Sequence, residues 1–139
     1  MQPTPQQKII LLSDGQLYRD AMDFVSKHKP LPDLQVTKSQ LSGLENIVHS
    51  HSFAQILGYI NHQLGRDTLK DELREFYQHL LPYLEGLRSM VEEHQFVSIP
   101  ENASRAERRQ LREKIDEYAY LLAKEFIQHL VAENNYQRG

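Results

Sequence analysis

The chain contains no cysteine and no tryptophan. Without thiols there can be no disulfide scaffold, thiolate zinc site or cysteine nucleophile, and the absence suits a reducing cytoplasm. Long hydrophobic runs are lacking too. The longest aliphatic run is Ile9-Ile10-Leu11-Leu12, whereas a signal-peptide core needs about 7–15 apolar residues and a membrane span about 20. The expectation is a cytoplasmic protein with no membrane partner. Excess positive charge is missing as well: the formal net charge is −3. That argues against coating nucleic acid by bulk electrostatics, but it leaves room for a local basic face. No glycine-rich phosphate loop, nucleophile elbow or dinucleotide fingerprint occurs, so neither an enzyme nor a cofactor is expected.

What is present is helical periodicity. Over Asp67–His94 the apolar residues Leu69, Leu73, Phe76, Tyr77, Leu80, Leu81, Leu84, Leu87 and Val91 form one stripe of period 3.6. A stripe of this length needs other helices to cover it. Pro82 lies inside it and predicts a kink or break near Leu81. A second main helix is predicted over 104–133, with Leu111, Ile115, Tyr118, Leu122, Phe126 and Leu130 as its stripe. Shorter helices are expected over Gln16–Lys29, after Thr37-Lys38-Ser39-Gln40, and from Ser52 to Gly65. Capping-box spacing marks Thr37 with Gln40, Ser52 with Gln55, and Ser104 with Glu107. Residues 1–8 are expected to be flexible, and Ile9–Leu12 reads as a short extended segment. The fold expected is therefore all-α: a compact bundle of about five helices in a single domain spanning residues 1–139.

Seven histidines raise the question of a metal. His49 and His51 stand two apart, with His62 the nearest further candidate, but ligands on one helix face need spacings of three or four. The expectation is solvated histidines and no metal. A sharper feature is Arg105, Arg108, Arg109 and Arg112, at offsets of three, one and three. This spacing lays a basic stripe along about two helical turns. Guanidinium forks suit phosphate oxygens. The same arginines could instead pair with the acidic surface of the Asp67–His94 helix, or with Asp116 and Glu117, and the sequence leaves both readings open.

The segment Thr37–Leu81 resembles the small helical subunit of type III CRISPR effector complexes. The resemblance is carried by Thr37-Lys38-Ser39-Gln40-Leu41, Tyr59, Gly65-Arg66-Asp67 and Glu75-Phe76-Tyr77-Gln78-His79-Leu80-Leu81. It implies a non-catalytic all-α subunit of an RNA-guided ribonucleoprotein complex. Its partners would be the other subunits and the guide and target RNA backbone, touched without sequence readout, and copies could associate along the complex. Lys38 and Arg66 become candidate contacts through these motifs, beside the Arg105–Arg112 stripe read from spacing. The rival reading is a helical adaptor or regulatory domain that binds only protein.

Overall fold

Thr4 starts the first helix, earlier than the sequence reading places it. The structure is a computed structural model that describes residues 3–27, 42–49, 52–69 and 71–138. Thr4 Oγ1 accepts from the Gln7 amide, Gln7 returns its side-chain oxygen to the Thr4 amide, and Pro5 takes the first helical position. Helix α1 (Pro5–Leu12) thus replaces the extended segment expected at Ile9–Leu12. Ile9 and Leu12 face the core while Ile10 and Leu11 face solvent. A π-helical turn (Ser13–Leu17) joins α1 without interruption to α2 (Tyr18–Lys27). Ser13, Leu17, Ala21 and Val25 are all buried and four apart. That spacing drifts around a regular α-helix, and the wider π turn absorbs part of the drift.

A helix, α3, covers residues 42–49, and the Thr37–Gln40 capping box lies outside the described residues. The remaining elements are α4 (Phe53–Leu64), α5 (Asp71–Glu85), α6 (Leu87–Glu93) and α7 (Arg105–Arg138). Taking α1 to α2 as one rod and α5 with α6 as another gives five helices, with 83% of the described residues helical and no strand among them. The Ser52–Gln55 capping box is formed in both directions. Gly65 closes α4 in the ordinary right-handed region, so its position does not depend on a positive φ. Between α4 and α5 the chain makes a further turn at Asp67 and Thr68. Arg74 holds that turn by donating to the carbonyls of Leu64 and Arg66, at 2.7 and 2.8 Å.

Pro82 does not break its helix. The hydrogen bond it cannot make would reach Gln78, and both residues lie on the exposed side. The interruption falls at Gly86 instead, where the ladder still spans the joint: Gly86 donates to the Pro82 carbonyl at 3.0 Å and Met90 to the Gly86 carbonyl at 3.2 Å. The predicted stripe is the buried face. Leu69, Leu73, Phe76, Tyr77, Leu80, Leu84, Leu87 and Val91 are all buried, and Leu81 partly so.

The helix touched by most others is α7, which packs on α1, the π turn, α2, α4 and α6. Ala119 and Ala123, both fully buried, allow close approach, and Leu122, Phe126, Ile127 and Leu130 fill the space around them. Tyr83 stacks on Phe126 at 4.2 Å and donates to Asp20 at 2.8 Å. Burial raises its hydroxyl pKa, and the bond to Asp20 raises it further. Ser13 and His129 share a 2.9 Å hydrogen bond that fastens the π turn to α7.

At the end of α6, Gln95 has φ 56°, in the left-handed region. Gln95 donates to the Glu92 carbonyl and Phe96 to the Val91 carbonyl, each at 3.1 Å, which is the Schellman pattern with Gln95 at C′. Val91 and Phe96 are both buried and supply its apolar contact. Lys8 Nζ donates to the His94 and Gln95 carbonyls, both at 2.9 Å. A side chain in the left-handed region costs about 1–2 kcal/mol, while glycine there loses about 0.4–1 kcal/mol through the unfolded chain. Gln95→Gly is therefore expected to stabilise the fold by roughly 0.5–1 kcal/mol. Urea unfolding with an unchanged m-value would show it, and a lowered midpoint would contradict it.

Candidate nucleic-acid interface

Helix α7 begins well before it reaches the core. Ser104 caps it, its Oγ accepting from the Glu107 amide at 3.1 Å. From Ser104 to Lys114 every residue is exposed except Leu111, and Ile115 is the first buried one. The first ten residues, about 15 Å of helix at 1.5 Å per residue, therefore place no buried side chain in the core. Because no core claims this stretch, its sequence is free to carry charge on all sides.

Arg105, Arg108, Arg109 and Arg112 together line a surface groove of about 480 Å³ to which no other described residue contributes. Arg108 is fixed from below: Nε donates to the Ala103 carbonyl and Nη2 to the Glu101 carbonyl, both at 3.2 Å. Those bonds leave N–H groups on the same guanidinium unspent. Arg105, Arg109 and Arg112 have no hydrogen bond or ion pair with any described residue. The acidic partners that the sequence offered are not used for neutralisation. Asp116 is taken by Arg88 of α6, with Nε–Oδ1 at 2.7 Å and Nη2–Oδ2 at 3.3 Å. Both of those side chains are about 40% exposed, so the pair contributes little to stability. Glu113 and Glu117 have no ion pair among the described residues. Four like charges are thus held together at the positive end of a helix dipole, a cost that a bound anion would offset.

The other two candidates do not join this groove. Arg66 lies in the turn after α4, where its Nη1 donates to the buried Gln63 at 3.0 Å, and it is no part of the groove lining. Lys38 lies outside the described residues. So does His51, while His49 and His62 are exposed. Among the described residues no three histidine, aspartate or glutamate side chains are grouped so as to hold a metal ion. No described helix is long and apolar enough to cross a membrane.

A second surface feature escapes a reading by single motifs. Phe53, Ala54, Tyr120 and Leu121 floor a cleft of about 510 Å³ between α4 and α7, and Glu113, Asp116 and Glu117 stand at its rim. Arg88 reaches over the Phe53 ring at 4.9 Å. The signal was available in the sequence: Glu113, Asp116, Glu117 and Tyr120 repeat the spacing of the four arginines eight residues on.

The fold and groove define a class: an all-α bundle that presents an arginine groove on the exposed first turns of α7. Compared with protein-family models, curated proteins and solved structures, the chain matches none of them.

Proposed function

We propose that this protein is a non-catalytic helical subunit that grips the nucleic-acid backbone, as in the small subunit of an RNA-guided type III CRISPR effector complex. The observation that carries the reading is the groove that, among the described residues, only Arg105, Arg108, Arg109 and Arg112 line, with three of them unpartnered there. Guanidinium forks match phosphate oxygens, and contacts to phosphate carry no sequence information. The motifs around Arg66 support the same class of partner at a second contact, and the ribonucleoprotein setting comes from the resemblance of Thr37–Leu81. The apolar cleft of Phe53 and Leu121 favours a second reading, a helical adaptor that binds protein.

Two labelled single-stranded RNAs of unrelated sequence should bind with affinities within about threefold of each other, since phosphate contacts carry no sequence information. Four phosphates at about −0.7 each give a slope of log affinity on log salt no steeper than about −3. Absence of binding at 50 mM salt, both for the isolated protein and within its assembled complex, would overturn the reading. Strong preference for one sequence would do the same.

A further inference from the structure

The basic and acidic stripes of α7 are self-complementary. Arg105, Arg108, Arg109 and Arg112 have the spacing 0, 3, 4, 7, and Glu113, Asp116 and Glu117 follow at 0, 3, 4 with Tyr120 in the fourth place, a spacing that reads the same in either direction. If two copies of α7 are laid antiparallel with a two-fold axis between Arg112 and Glu113, Arg112 faces Glu113 of the other copy, Arg109 faces Asp116, and Arg108 faces Glu117. A single register satisfies all three pairs, and the axis repeats each of them. The rows 105-109-113-117 and 108-112-116-120 are i±4 ridges, and interlocking such ridges sets two helices at about −50°. The same register sets Arg105 of one copy opposite Tyr120 of the other, a residue that lines the cleft with Phe53 and Leu121. Glu113, Glu117, Arg109 and Arg112 have no partner among the described residues. Asp116 is shared with Arg88 and Arg108 with two loop carbonyls, but the carboxylate keeps lone pairs and the guanidinium keeps N–H groups for a second partner.

We propose that two copies of this chain form an isologous, antiparallel dimer through the first half of α7. This goes beyond the nucleic-acid reading and does not depend on it. It also differs from stacking along a filament, because a two-fold contact of this kind closes at two. The ion pairs are exposed and individually weak, so the apolar cleft must supply part of the affinity, and the dimer is salt-sensitive. The dimer and a nucleic acid would use the same arginines, so bound RNA would dissociate the pair.

Sedimentation velocity with charge-swapped variants tests this. In 50 mM salt at tens of micromolar, wild-type protein should sediment as twice 16.3 kDa. In 500 mM salt the dissociation constant should rise at least about tenfold. Arg108→Glu with Arg112→Glu, or Glu113→Lys with Glu117→Lys, puts like charges at two of the three facing pairs and leaves only Arg109–Asp116 opposite, so each variant alone should be monomeric. Mixed in equal amounts, every facing pair is again opposite and a heterodimer should form. If either double variant loses its helical circular dichroism, Arg112→Glu and Glu113→Lys give the same test without touching the Arg108 loop contacts. A wild-type monomer at 100 μM in low salt would overturn the proposal, as would a mixture that stays monomeric. The Glu113→Lys, Glu117→Lys protein keeps all four arginines, so its RNA affinity reports on the nucleic-acid reading separately.

Discussion

Leu80→Ala is expected to lower the melting temperature by at least about 6 °C. Leu80 has no exposed surface and sits in the middle of the α5 stripe. Truncating a buried leucine costs about 2–5 kcal/mol through lost transfer energy and the cavity left behind. The total stability of a domain this size is only about 5–15 kcal/mol, and each kcal/mol moves the midpoint by roughly 3–5 °C. Leu11→Ala is the control. Leu11 is 66% exposed, so its truncation should stay within about 0.5 kcal/mol of wild type. Equal melting temperatures for the two variants would mean that the α5 stripe is an open partner surface and not a core.

Arg108→Glu combined with Arg112→Glu is expected to weaken binding to single-stranded RNA at least about tenfold at 100 mM salt, equally for all sequences. Removing two phosphate contacts at about −0.7 each should flatten the salt slope by more than one unit. Helicity should survive, because both side chains are exposed. Arg88→Glu provides the contrast. It breaks a half-exposed ion pair outside the groove, so RNA affinity should hardly change.

Where local chemistry decides the structure, the sequence is readable. The stripe from Leu69 to Val91 is the buried face, and the Ser52–Gln55 box is formed because both partners lie within one turn. The same logic applies to Thr4-Pro5-Gln6-Gln7, a capping box with proline at the first helical position. The composition of the amino-terminal residues suggests fraying and hides it. Pro82 misleads for a different reason: a missing amide matters little on a solvent-facing side, and the joint moves to Gly86, the residue with least hold on the helix. The central place of α7 is hard to read because burial on several sides by Ala119, Ala123 and Ile127 blurs a single stripe. For the groove, spacing alone brings the four arginines onto one surface. Their freedom from Asp116 is not legible, because the competing Arg88 comes from a different helix 28 residues away.

The central claim is that the arginines of the α7 groove contact the nucleic-acid backbone. Arginine side-chain Nε–Hε resonances, followed by NMR during titration with single-stranded RNA, test it most directly. The account predicts that Arg105, Arg109 and Arg112 shift most. Arg88, locked to Asp116, and Arg74, bonded to the carbonyls of Leu64 and Arg66, should stay in place. Shifts confined to Arg66 or to residues outside the groove, with Arg105, Arg109 and Arg112 unmoved at saturation, would contradict it.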